Sequence, residues 1–508
     1  DLDFKGYSEK KNVCGLSSTF EPIGNSNHPF SGTIDGNIKY IKNLTIDKTD
    51  SDNVGIFGYV GETSSFVGIN LENITVKGGN NYVGSLIGKA QNSSVKVNEV
   101  VAKNVNVIGT GMVGGISGGY ATLTNVIVKS GSVNGKSAYG IQGTQGMVNN
   151  SIIENLSIKK TSTNTKIVSL NYKESYYSNK VTVNGNAQTS GLSENATSNI
   201  NMYEYAGLDT WIGGDNNSTG YYFDYENDNS NNIVLKSVKK DPITFNLTGA
   251  GTQENPYLIK NMKEWKMLAG VPNREVYYKI NNDIDLSSGH FYMIGSIGNP
   301  FNGKIDGNLS RLYNLNLDIA PADNVGMFGY VGETASFVGL NLENITVKGG
   351  NNYVGSLIGK AQNSSVKVNE VVAKNVNVIG TGMVGGISGG YATLTNVIVK
   401  SGSVNGKSAY GIQGTQGMVN NSIIENLSIK KTSTNTKIVS LNYKESYYSN
   451  KVTVNGVEQT NGFDSSYIDD LDYYTGKVET INDGDKNNTG YYFDYVQSKN
   501  GIYLTKVK

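Results

Sequence analysis

Apolar residues recur along this chain in short alternating runs, without helical spacing. In Asn70-Leu-Glu-Asn-Ile-Thr-Val76, positions Leu71, Ile74 and Val76 can share one face, while Asn70, Glu72 and Thr75 serve the outer face or a turn. Period two with β-branched side chains predicts strands. Between these runs stand glycine-centred motifs: Val54-Gly-Ile-Phe-Gly58, Val83-Gly-Ser-Leu-Ile-Gly88, Val113-Gly-Gly-Ile-Ser-Gly118 and Tyr139-Gly-Ile-Gln-Gly143. Their leading glycines, Gly55, Gly84, Gly114 and Gly140, are spaced by 29, 30 and 26. Asparagine heads each interleaved apolar triplet, at Asn43, Asn73, Asn104, Asn125 and Asn155, with separations of 30, 31, 21 and 30.

A period of roughly 20 to 50 residues marks a solenoid, propeller or array. One unit cannot bury its apolar side, whereas stacked units make a continuous core. The predicted fold is all-β, a right-handed parallel β-solenoid. A propeller is disfavoured because its blades need about four strands in roughly 40 residues. Stacked asparagines can hydrogen-bond side chain to side chain and tolerate the left-handed turn conformation. The asparagines are therefore expected to form a structural ladder, repeated at Asn314, Asn344, Asn375, Asn396 and Asn426.

That repetition comes from a larger duplication. Asn53 to Gly185 recurs as Asn324 to Gly456 at a constant offset of 271, and over those 133 positions three residues differ: Ile56/Met327, Ser64/Ala335 and Ile69/Leu340. Two tandem modules are expected, 1–241 and 242–508, the second starting near Pro242. Residues 261–269 place Met262, Trp265 and Leu268 on one side, which predicts a short helix covering the open end of module two. Module one begins at Asp1-Leu-Asp-Phe4, which aligns with Asp283-Ile-Asp-Leu286, so its own capping helix is expected upstream of residue 1. The start at Asp1 without Met fits a mature product or a fragment. Both modules close alike, Asp215 to Tyr225 and Asp485 to Tyr495, and Asn500-Gly501 predicts a terminal hairpin near 490–508 that caps the last coil.

Composition narrows the chemistry. Lys and Arg total 43 and Asp and Glu total 43, so no basic stripe is implied and nucleic acid is not an expected partner. The single Cys14 excludes a disulfide framework and reads as an incidental loop residue. No stretch approaches the ~20 apolar residues of a membrane span.

The motifs at Val54 to Gly58, Val83 to Gly88 and Val113 to Gly118, with Gly251-Thr-Gln-Glu-Asn-Pro-Tyr-Leu-Ile259, Trp265, Asp283-Ile-Asp-Leu286 and Phe301 to Gly307, resemble the GLUG repeat family. The resemblance covers nearly all of module two and most of module one. It implies a secreted or surface-anchored bacterial protein, mostly of adhesin type. The family also includes the non-catalytic N-terminal regions of the IgA1-protease family. The chain has no His-Glu-x-x-His zinc motif, and its closing coils, such as Ser137 to Gly143, drift from the repeat.

Candidate sites are few. His28 and His290 are not at equivalent positions, since His28 aligns with Asn299. Asp35 and Asp306 recur in Ile-Asp-Gly-Asn, but Asp-Gly is ordinary turn chemistry and glycoside hydrolysis needs two carboxylates flanking one bond. Asp224-Tyr-Glu-Asn-Asp228 resembles a calcium loop in composition only, and its counterpart from Asp494 lacks the acids. The sequons at Asn43, Asn73 and Asn155 fall on ladder positions and read as structural. Tyrosines cluster at Tyr172, Tyr176 and Tyr177 and again at Tyr443, Tyr447 and Tyr448, as sugar-stacking or partner-anchoring residues or as packing over the last coils. No catalytic residue, metal ligand or cofactor is expected. The expected function is a non-enzymatic adhesin-like stalk that binds a glycan or a protein on another cell or surface. An extracellular filament subunit that self-associates and a polysaccharide-active enzyme are the alternatives.

Overall fold

A computed structural model describes residues 1–5, 20–214, 216–238 and 245–507. Cys14, Asp215 and the expected boundary at Pro242 lie outside the described residues. The chain forms two compact units, Asp1–Ile243 and Thr244–Lys508.

Each unit is a parallel β-solenoid, with almost every strand pairing in parallel with the strand one coil away. In the first unit Ser65–Lys77 pairs along its length with Lys96–Ile108, from Ser65↔Lys96 to Lys77↔Ile108. The second unit repeats this with Ser336–Lys348 and Lys367–Ile379. Parallel pairing between consecutive repeats excludes the propeller, whose blades are antiparallel meanders. The glycine-centred motifs form the opposite side of each coil, where Phe57–Val60 pairs with Ile87–Ala90 and Val54, Val83 and Val113 bridge in a column. The drifting segment is a coil of the same kind, with Ser137–Tyr139 parallel to Met112–Gly114.

Alternation sorts the side chains as expected. Leu71, Ile74 and Val76 are buried in the interior cluster with Val100, Val105 and Val107. At the front, Phe30, Phe57 and Phe66 pack as an aromatic group, matched by Phe301, Phe328 and Phe337. In the second unit the helix Met262–Ala269 buries Trp265 and Leu268, and the Trp265 ring meets the Phe328 ring edge-on at 5.8 Å. Asn261 caps that helix by accepting the Glu264 N–H at 3.0 Å, and Trp265 Nε1–H donates to the Tyr292 carbonyl at 2.8 Å.

The terminal hairpin exists but does not cap the last coil. Tyr491–Val496 pairs antiparallel with Gly501–Lys506, and the pair lies along the flank of the solenoid, back toward its front. Tyr491 donates to Asp306, and Lys506 Nζ donates to Asn308. The first unit has the same arm: Tyr221–Tyr225 pairs with Ile233–Ser237, and Tyr221 donates to Asp35. The reason is an apolar stripe on the outside of the coils. Val101, Ile127 and Ile152 stack one above another, buried yet outside the interior cluster. Their counterparts Val372, Ile398 and Ile423 join Tyr474, Tyr491, Phe493, Ile502 and Leu504 in a separate core. A capping position would leave that stripe in water; the flank position buries it.

Candidate functional site

The corners of the coils carry the polar columns. Asn43, Asn73 and Asn104 take φ of 61°, 56° and 54° and form a ladder: Asn73 donates to Asn43 at 3.0 Å and Asn104 to Asn73 at 2.8 Å. Asp3 heads it, accepting from Asn43 at 2.8 Å, and this bond holds its carboxyl below the usual range. In the second unit Asp285, Asn314, Asn344 and Asn375 repeat the arrangement at 3.3, 3.3 and 2.9 Å. This ladder is at the surface, with Asn73 and Asn104 exposed.

Two expected members are elsewhere. Asn125 and Asn396 belong to a different corner, in register with Glu99 and Glu370, because their coil is shorter. Each is buried and donates to that glutamate, at 2.9 and 3.0 Å. Asn155 and Asn426 do lie in the ladder column, but Ser130 and Ser401 stand between them and Asn104 and Asn375. The serine hydroxyls accept the Asn104 and Asn375 backbone N–H at 3.0 Å, which ends the amide chain.

The tyrosine clusters divide three ways. Tyr177 packs against the interior cluster, and burial raises the Tyr448 phenol. Tyr176 and Tyr447 continue the outer apolar stripe in register with Ile152 and Ile423; Tyr176 meets Tyr205 at 6.0 Å, and Lys477 sits 5.7 Å from the Tyr447 ring. Tyr172 and Tyr443, in register with Val148 and Val419, are each 40% exposed, and Tyr447 is 38% exposed. The six therefore do not make one face per unit.

The carboxylates have structural duties. Asp35 and Asp306 accept the backbone N–H of Asn37 and Asn308 at 2.9 and 2.8 Å, closing the turns, and each receives an arm tyrosine. That tyrosine ring lies over a glycine: a Cβ on Gly68 or Gly339, both at positive φ, would stand 2.7 Å from it. Beneath the second arm, Asn396 Nδ2 donates to both Glu370 and Glu479, at 3.0 and 3.2 Å. Burial drives the Glu370 carboxyl up to about 7, helped by the Glu479 charge and opposed by its hydrogen bonds. Glu370 is fully buried, and Glu479 is 6% exposed. Lys400, Glu425 and Asp469 form a second anchor, at 3.1 and 2.7 Å, which the Tyr474 hydroxyl joins at 2.8 Å. Asp224 is a buried strand residue paired with Val234, the turn of the first hairpin follows Tyr225, and no cluster of metal-ligating side chains occurs among the described residues. His28 lies in an exposed turn closed by Asn25.

One surface feature has no counterpart among the expected sites. Lys89 lies among three tyrosines, its Nζ 4.6 Å from the centre of the Tyr82 ring, 5.5 Å from Tyr120 and 5.7 Å from Tyr59. Tyr82 and Tyr120 are 5.7 Å apart, with hydroxyls 3.4 Å from one another. That bond, with partial burial, pushes the Tyr82 phenol up to about 12. Lys360, Tyr353, Tyr391 and Tyr330 repeat the group at 4.6, 5.3 and 5.8 Å. All eight side chains are half-buried. The legible signal is positional: a tyrosine directly before a Val-Gly motif, another after Gly-Gly, and a lysine one coil beyond a third.

No protein-family model and no solved structure matches the chain. A stretch of 171 residues is 27% identical to halomucin of Haloquadratum walsbyi, covering 32% of this chain. Another of 122 residues is 31% identical to a protein of Evansella cellulosilytica named as a Gly-rich membrane protein, covering 22% of this chain. The matches span 2% and 14% of those relatives' own lengths.

Proposed function

We propose that this chain is a non-enzymatic, surface-type repeat segment of the GLUG kind, serving as a spacer and as a repeated adhesive surface for glycans or proteins outside the cell. The carrying observation is duplication of surface detail. The lysine–ring distances are 4.6, 5.5 and 5.7 Å around Lys89 and 4.6, 5.3 and 5.8 Å around Lys360, so the two groups agree ring for ring. Two like faces on one chain raise effective concentration for a repetitive ligand. The names of the two partial relatives, one a membrane protein, support placement at a surface.

A glycan and extracellular-protein array probed with the full chain tests this reading. Binding that weakens sharply when one of the two faces is altered supports an adhesive role. Absence of binding to every glycan and protein probe overturns it.

A further inference from the structure

We propose that the Lys–Tyr face of each unit is a binding subsite for an acidic polysaccharide, with the lysine taking a sugar carboxylate and the tyrosine rings stacking on the pyranose faces. This rests on the adhesive reading above and names the ligand class.

The tyrosines of this face hold an unusual backbone conformation. Tyr82 and Tyr120 hold φ of 59° and 74°, and Tyr353 and Tyr391 hold 58° and 73°. The left-handed region disfavours a bulky aromatic residue, and such strain collects at functional sites. One coil earlier, the position in register with Tyr82 is Asn53, at φ 56°. In this column the chain carries the relaxed asparagine one coil earlier and a left-handed tyrosine beside Lys89.

Lys48, Lys77, Lys103 and Lys129 all reach a carboxylate within ion-pair distance, from 2.6 to 3.3 Å. Lys89 and Lys360 have no such pair among the described residues; their near neighbours are ring faces. An ammonium held by quadrupoles keeps its charge for an incoming anion. Gly119 and Gly390 occupy the next coil, where a Cβ would meet Thr144 or Thr415 at 2.3 or 2.4 Å and the Tyr82 or Tyr353 ring at 3.4 Å.

The occupant follows from what the face withholds. Its strands, Phe57–Val60 and Ile87–Ala90, are paired to each other, and Ala90 N–H donates onward to Gly119 at 3.0 Å. An extended peptide finds no free strand edge to join. A nucleic acid needs many cations per site, and this face supplies one. A ring–cation–ring surface with coils about 4.8 Å apart matches a chain of pyranoses that carries carboxylates.

The test uses the full chain, with polygalacturonate, alginate and hyaluronate as probes, and fully methyl-esterified pectin and amylose as uncharged controls, in biolayer interferometry. Polygalacturonate or another acidic probe should bind, esterification should abolish binding, and the Lys89→Gln/Lys360→Gln variant should lose about tenfold or more in affinity. The Tyr82→Asn/Tyr353→Asn variant guards against simple misfolding. It relieves the left-handed strain, so its melting temperature should stay level or rise while acidic-glycan affinity falls. Acidic-probe binding that is indifferent to both variants overturns the assignment. Failure of all acidic probes, with neutral glycans or proteins still binding, overturns the assignment and leaves the adhesive reading standing. Failure of every probe removes both.

Discussion

Replacing Glu370 by glutamine should stabilise the second unit at alkaline pH and leave it nearly unchanged in acid. Glu370 is buried at a coil corner, φ 50°, under the arm, where Asn396 Nδ2 and Asn487 Nδ2 donate to one carboxylate oxygen at 3.0 and 3.3 Å. Burial, reinforced by the Glu479 charge, raises its pKa from 4.5 to about 7. At about 1.4 kcal/mol per tenfold change in proton activity, ionising this group costs the folded state about 3 kcal/mol more than the unfolded one. Between pH 4.5 and about 7 the folded chain binds more protons than the unfolded chain, so stability is highest below that window, falls through it and is level above it. Glutamine keeps a carbonyl oxygen for both asparagines and never ionises. Urea unfolding read by hydrogen exchange in 471–507 checks this at pH 5 and pH 8. The variant's gain over the parent should be about 3 kcal/mol larger at pH 8 than at pH 4.5, and most of that difference should already appear against pH 5. A variant less stable than the parent at pH 8 would refute the account, because it would mean that the ionised carboxylate is what the arm needs.

Other perturbations separate the remaining parts. Asn73→Gly keeps the left-handed backbone but removes two ladder hydrogen bonds, so thermal unfolding should report a loss of about 1 kcal/mol. Asn73→Leu should add about 1–2 kcal/mol of backbone strain, and unchanged melting would argue against the ladder. Gly339→Ala should release the second arm, since its Cβ would stand 2.7 Å from the Tyr491 ring; limited proteolysis should then cut within 490–507 while the coils stay intact. Tyr474→Phe removes the hydroxyl that donates to Glu425 at 2.8 Å, and chemical denaturation should show a loss of about 1–3 kcal/mol from a buried carboxylate left short of a donor.

The coil interior was legible because it depends on a short-range rule. Leu71, Ile74 and Val76 alternate with polar neighbours, and stacking identical coils needs no further information. The arm was not, because its partner surface hides inside triple apolar runs. Val100-Val101-Ala102 and Val126-Ile127-Val128 read as richly apolar strands, yet the middle residue of each points outward and demands cover. Which segment supplies the cover is a long-range choice, made by Tyr221 and Tyr491 reaching Asp35 and Asp306 some 186 and 185 residues away. A local turn signal such as Asn500-Gly501 therefore identifies the hairpin and is silent about where it docks.

The asparagine ladder shows how register resolves such cases. Its separations are 30, 31, 21 and 30, while the coil that begins at Lys96 advances by 26, as Lys96↔Thr122 and Val105↔Gly131 show. A residue that stays in one column must advance by the length of its coil. Asn125 follows Asn104 by only 21, so it falls five short of that column and lands instead in register with Glu99, 26 before it. The same arithmetic carries Asn104 to Ser130 and then to Asn155, which explains both the break in the amide chain and the buried Asn–Glu pair at the neighbouring corner. Two columns with left-handed corners read alike in sequence because both favour asparagine; coil length alone separates an exposed ladder from a buried anchor for the arm.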